Sequence, residues 1–186
     1  MQCIKDTIKN INIVIGCSIG CSYCYARMNN NRFHTIDDFN KPVFFENKLK
    51  MLDNKRHTAY LLTGQSDLSG WNEEWKDKVF SKMKENENTQ YIFLTKRPEN
   101  INLKETPDSG WLGVTVTSSK EKTRIDYLRN NIKAKHYHIT FEPMFDDVGK
   151  LDLSNISWIV IGTETGNRKG KISSKREWVF NIYNQA

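Results

Sequence analysis

Six short apolar runs recur along the chain, and they restrict its fold more than any other feature. They are INIVIG (11–16), AYLLTG (59–64), QYIFLT (90–95), WLGVTV (111–116), HYHITF (136–141) and ISWIVIG (156–162). Each is rich in β-branched or aromatic residues, as buried parallel strands are. Helical patterns fall between them. Trp71, Trp75, Val79 and Met83 recur every fourth residue and form one apolar stripe. Ser118 and Glu121 have capping-box spacing before Ile125, Leu128 and Ile132, and Ser174 and Glu177 repeat it before Trp178 and Ile182. Pro42 suits the opening of a helix carrying Phe45, Leu49 and Leu52, and Pro98 suits the first turn of a short crossover.

Strand-helix alternation predicts an α/β fold with a parallel sheet and right-handed crossovers. No internal repeat, linker or low-complexity stretch divides residues 1–186, so a single domain is expected. A closed TIM barrel needs eight units. Six predict an open, TIM-like partial (β/α)6 barrel, with a doubly wound sheet as the alternative.

In either architecture the working rim lies at the C-terminal ends of the strands. The residues just past them are Thr63, Gly64, Gln65 and Asp67 after the second run and Lys96 and Arg97 after the third. Thr115 and Thr117 follow the fourth, Glu142 the fifth, and Glu164 the sixth. The first run leads into CSIGCSYC, which sets Cys17, Cys21 and Cys24 at C-x3-C-x2-C spacing. Three thiols make three-quarters of a metal site. Zinc would require a fourth protein ligand, Cys3 or the unpaired His34, because no second cysteine pair exists. Buried inert thiols are the blandest alternative. The third is a [4Fe-4S] cluster with three cysteine-bound irons and one open iron, whose vacant position lets a small molecule bind.

C-x3-C-x2-C with an aromatic residue, Tyr23, before the last cysteine resembles the signature of the radical S-adenosylmethionine (SAM) superfamily. Its place after the first β-run of a six-unit β/α chain matches as well, and the likeness covers nearly the whole sequence. The resemblance implies that the amine and carboxylate of SAM complete the coordination of the open iron. One electron, from a donor such as flavodoxin or ferredoxin, would then cleave SAM. Tyr23 corresponds to the aromatic whose backbone region meets the adenine. Thr63-Gly64-Gln65 stands where the superfamily commonly carries Gly-Gly-Glu for the SAM amine. Gln65 can accept a hydrogen bond there but has no charge. Thr115 or Thr117 would meet the ribose hydroxyls, and Lys96 and Arg97 could hold the SAM carboxylate or an acidic substrate group.

A narrower likeness lies in SDL (66–68), LTKRP (94–98), WLGV-V (111–116), FEP (141–143) and IGTETG (161–166). These segments resemble a phage-associated group of small radical-SAM proteins. The chain is also similar to the queuine lyase subgroup, which releases 7-aminomethyl-7-deazaguanine from queuine. Such a deazapurine base has adjacent N–H donors, which a carboxylate of Asp67, Glu142 or Glu164 can accept. A flat heterocycle also calls for a stacking partner, with Phe33, Phe141 and Trp71 as candidates.

The remaining expectations come from charge and hydropathy. Twenty-eight Lys and Arg against 22 Asp and Glu leave a net charge of +6, which permits anionic partners without requiring them. The densest basic stretch, GNRKGKISSKR (166–176), reads first as a solvated loop and second as a phosphate or nucleic-acid contact. A radical-SAM modification of tRNA or DNA, or a non-enzymatic nucleic-acid-binding module, is therefore the alternative to a small-molecule enzyme. No apolar run has the length of a membrane span, and MQCIKDTIKN lacks a signal-peptide core. A cytoplasmic protein is expected, with room for a homodimer.

Overall fold

In the computed structural model, residues 7–53, 58–86 and 88–186 are described. Their main sheet is built from β1 (Ile8–Asn10), β4 (Ala59–Leu61), β5 (Gln90–Thr95), β6 (Gly110–Thr115), β7 (His136–Phe141) and β8 (Ile156–Ile161). Two short strands, β2 (Val14–Ile15) and β3 (Val43–Phe44), pair antiparallel beside it. The six strands are all parallel and lie in the order β1-β4-β5-β6-β7-β8. That order follows the chain without the reversal a doubly wound sheet requires. Among the described residues no pairing joins β1 to β8, so the sheet is open.

The first β-run behaves differently from its expected course. The sheet strand lies earlier, at 8–10, and the Ile11 N–H still reaches the Leu61 carbonyl at 3.0 Å. At Ile13 the N–H turns back to the Ile11 carbonyl, which takes the chain off the ladder. Val14 and Ile15 then pair with β3. Pro42 consequently precedes a strand rather than opening a helix, and the helical turns that follow are a 3-10 helix at Glu46–Asp53.

Four α-helices are described: α1 (Tyr25–Phe33), α2 (Glu73–Lys84), α3 (Thr123–Asn131) and α4 (Arg176–Tyr183). Asn72 caps α2 by accepting from the Trp75 N–H at 2.9 Å, and glutamates at its start with lysines at its end suit the helix dipole. The two expected capping boxes do not form. Glu121 turns to the Thr117 N–H and hydroxyl at 2.7 and 2.8 Å, and the Ser174 hydroxyl donates to the Met144 carbonyl at 3.0 Å.

Side-chain alternation splits the sheet into two unlike faces. Tyr91, Phe93, Leu112, Val114, Ile139 and Phe141 share a core with Val79, Phe80 and Met83 of α2, Ile125 and Leu128 of α3, and Ile182 of α4. Full burial of each such large side chain is worth about 1.5–3 kcal/mol. The alternate positions carry Gln90, Trp111, His136, His138 and Trp158 on the opposite face. There Trp111 stacks on His136 at 4.5 Å, meets Trp158 edge-on, and donates its ring N–H to Gln90 at 2.7 Å. His138 bridges to the Phe93 carbonyl at 3.0 Å. No helix among the described residues is long and apolar enough to cross a membrane.

Candidate functional site

The cysteine loop starts at a residue that has to be glycine. Gly16 has φ +113°, and a β-carbon there would lie 2.9 Å from the Pro42 Cα and 3.1 Å from the Phe39 carbonyl oxygen. Its N–H donates to the Gln65 carbonyl at 2.9 Å, which fixes the loop beside the end of β4. Cys17 N–H then donates to Phe39 O at 2.6 Å. At the other end Cys24 caps α1, its sulfur accepting from the Arg27 N–H at 3.4 Å. The Arg27 guanidinium returns to the start of the loop. It donates to the Cys17 carbonyl at 2.8 Å and to Asn40 Oδ1 at 3.0 Å, and lies over the Phe39 ring.

Between these pins the loop is open. Gly20 has φ +77° and no atom near its β-carbon direction. Cys17, Cys21 and Cys24 are free and half-buried. The Cys17 thiol is pushed up chiefly by burial, with the charges of Asp67, Cys21 and Cys24 adding to it against a hydrogen bond from the Ile19 backbone. A cationic metal group beside the three sulfurs would reverse that effect and favour thiolates. Among the described residues no three His, Cys, Asp or Glu side chains are gathered for a single ion. A cluster places its thiolates on separate irons, so its ligands need not converge on one point. His34 ends α1 in a left-handed cap, ten residues past Cys24, which puts it about 15 Å along the helix axis and removes it as a zinc ligand. Cys3 lies outside the described residues.

Two tyrosines wall the loop. The Tyr25 hydroxyl donates to the Gly64 carbonyl at 2.6 Å, tying α1 to the end of β4. Tyr23 packs edge-on against Phe145 at 5.3 Å. Its phenol is pushed up by burial first, and then by the charge of Cys21 and its hydrogen bond to that thiol. Lys96 lies across from it, its Nζ 5.8 Å from the Tyr23 ring centroid and 3.5 Å from Thr115 Oγ1. No carboxylate among the described residues pairs with Lys96. Gly64 faces the side-chain oxygens of Asn12 and Asn10, which would lie 3.0 and 3.2 Å from a β-carbon at that position. Among the described residues the buried Asn12 Oδ1 has no hydrogen-bond partner. Glu142 is exposed beyond the end of β7, over Gly162; the Tyr25 phenol is raised chiefly by burial, then by the charges of Cys24 and Glu142.

Other expected site residues are engaged within the protein. Asp67 is buried, and its Oδ1 accepts from the Ser69 N–H, the Ser69 hydroxyl and the Thr95 hydroxyl, while Oδ2 accepts from the Lys96 N–H at 2.8 Å. It thus holds the Lys96 backbone at the end of β5. Thr63 Oγ1 accepts from the Leu94 N–H at 2.7 Å, and the Thr117 hydroxyl is held by Glu121. Glu164 is clasped by both ends of the Arg168 guanidinium, which holds its carboxyl below the usual range. The Arg97 N–H donates to Thr95 Oγ1 at 3.0 Å. The expected stacking rings lie elsewhere. Phe141 and Trp71 are in the core under the helices, and Phe33 is exposed at the far end of α1 beneath Arg32.

Sequence reasoning did not find Arg27, Asn10, Asn12 or Gly162. Only Gly162 carries a signal, since a glycine closing an apolar strand marks close approach of another group. The family model described as "Protein of unknown function (DUF5131)" matches residues 2–186. No curated protein and no solved structure matches.

Proposed function

We propose that this chain, which belongs to the DUF5131 family, is a radical SAM enzyme acting on a small substrate. Queuine is the best specific candidate, with release of 7-aminomethyl-7-deazaguanine. On this reading the open sheet curves into a partial (β/α)6 barrel, with its helix-free face inward. The observation that carries the proposal is the cysteine loop: three half-buried thiols on a loop pinned at both ends, opposite a lysine that pairs with no carboxylate among the described residues.

Cys17, Cys21 and Cys24 would hold a [4Fe-4S] cluster, and the donor set fits because all three are free thiols with no disulfide among them. When bound, that cluster supplies the one-electron reduction that cleaves SAM to methionine and a 5'-deoxyadenosyl radical. The chain's own groups bind and orient. Lys96 neutralises a ligand carboxylate, and Asp67 holds the Lys96 backbone in place for it. Gly64 and Gln65, beside Asn10 and Asn12, offer oxygen acceptors to an amine. Thr115 Oγ1 can meet a sugar hydroxyl next to Lys96. Tyr23 and Tyr25 flank the loop. Glu142 accepts the N–H donors of the base or pairs with the cationic amine of queuine.

The test is anaerobic reconstitution with iron and sulfide, then dithionite and SAM, with and without queuine. Queuine-dependent 5'-deoxyadenosine together with the aminomethyl base supports the full reading. Deoxyadenosine without that base keeps the radical chemistry and discards the substrate. Neither product, from a protein with verified iron and sulfide, overturns the proposal. Cys17→Ala should retain no cluster.

A further inference from the structure

The basic stretch after β8 is a built arm rather than a loose loop. Glu164 and Arg168 close its neck through two contacts, and Arg168 also donates to the Gly170 carbonyl at 3.2 Å. The Lys171 ammonium donates to the Gly166 carbonyl at 3.0 Å. Ser174 returns the arm to the rim, its N–H to Thr163 Oγ1 at 3.1 Å and its hydroxyl to the Met144 carbonyl at 3.0 Å. The arm leaves the sheet one residue beyond Gly162, which cradles Glu142, so it borders the candidate site.

The arm and α4 interleave cations with rings. Lys175 lies over Trp178 at 5.4 Å, and Arg176 over Phe180 at 5.1 Å. Phe180 and Tyr183 are 45% and 71% exposed and meet edge-on, with Arg176 over one face of Phe180. Lys169, Lys171, Lys175 and Arg176 are all exposed as well. Within the arm and α4, Glu164 is neutralised by Arg168 and Glu177 stands 3.7 Å from Lys175, while at their edge Asp147 accepts from the Asn181 amide at 2.5 Å and Glu142 packs over Gly162. The surface is therefore cationic with accessible rings.

From this pairing we infer that the arm and α4 bind single-stranded nucleic acid. Lysine and arginine contact successive phosphates, and Phe180 and Tyr183 stack on unpaired bases. A duplex hides its base faces in the stack, whereas unpaired bases offer theirs to exposed rings. The inference does not depend on the cysteine loop holding a cluster, and its test needs no cluster.

The test is fluorescence anisotropy of the full chain with labelled oligonucleotides of about 16 nucleotides, as single-stranded RNA, single-stranded DNA and duplex DNA, over a salt series. Both single strands, or one of them, should bind more tightly than the duplex, and their ranking identifies the natural polymer. Lys169→Ala/Lys171→Ala/Lys175→Ala should reduce the slope of log affinity against log salt by about 2. Phe180→Ala/Tyr183→Ala should weaken binding about thirtyfold or more at every salt concentration while keeping the slope. Circular dichroism checks that both variants are folded, and the charge-reversing Lys169→Glu/Lys171→Glu gives a second reading. The inference is overturned if neither single strand binds at low salt, if the duplex binds equally well, or if polyglutamate competes as effectively as RNA. It is also overturned if the wild type is a dimer that Tyr183→Ala makes monomeric, since a second copy would then cover the rings.

Discussion

The carboxylate of Glu142 occupies the space a side chain at Gly162 would fill, with the Glu142 Cδ 2.7 Å from where that β-carbon would lie. Two neighbouring strands thus cooperate to place one exposed acid at the rim. Gly162→Ala should push the carboxylate away, and Glu142→Gln should keep its shape but remove its charge. Each should raise the KM for a cationic or N–H-donating substrate by roughly tenfold, in line with a charged hydrogen bond of about 1.5–3 kcal/mol. Iron content should stay at the wild-type level. Unchanged KM in both variants would remove Glu142 from the substrate site.

Arg27 makes the contact that closes the cysteine loop on itself. Arg27→Ala frees the Cys17 carbonyl without touching a thiol. Metal affinity should fall by roughly tenfold or more, the usual cost of removing a group that orients the ligands. Iron and sulfide retained after gel filtration would measure it. Retention equal to wild type would mean that the loop needs no such tie.

Asp67 is an internal tie between the end of β4 and the end of β5. In Asp67→Asn one side-chain atom becomes an N–H donor facing the Lys96 N–H or the donors from Ser69 and Thr95. The expected cost is about 1–3 kcal/mol, or about 5 °C in Tm for a chain of this size. A variant that melts like wild type yet binds substrate poorly would instead place this carboxylate against the ligand.

His138 gives the fold a pH dependence. Burial holds its imidazole down at about 4, against 6.5 ordinarily, partly offset by its hydrogen bonds to the backbone at Phe93 and Trp111. The unfolded chain therefore binds more protons between these values. The neutral imidazole's contribution is fully present above about pH 6.5 and is lost as pH falls towards 4, by about 2 kcal/mol at pH 5. Denaturant melts at pH 7 and 5 should show this loss, and His138→Gln should lack it. Equal losses in both proteins would assign the acid sensitivity to other groups.

The residues differ in how openly their structural parts can be read from sequence. QYIFLT and HYHITF coincide with β5 and β7 because central strands satisfy both alternation and burial. INIVIG has the same composition, but its ladder is interrupted by a turn at Ile13 that no propensity marks. The three cysteines declare themselves by spacing. Asp67 does not, because its partner Thr95 is 28 residues away and only strand register brings them together. Glu164 likewise reads as a free rim acid until the arm folds Arg168 back onto it. The helix face of the sheet was legible as apolar positions, whereas the occupants of the opposite face required knowing which alternate residues look away from the helices.

That division of faces has a consequence for how this scaffold can evolve. The packing of the sheet against its helices rests on one set of alternate positions, represented by Phe93, Val114 and Phe141. The rim groups Lys96, Thr115 and Glu142 belong to the interleaved set, nearest the strand ends. On the proposed reading, a mutation at one of these rim positions exchanges one ligand for another while the first set continues to specify the fold. New specificities are thereby reachable through single substitutions that selection can test one at a time.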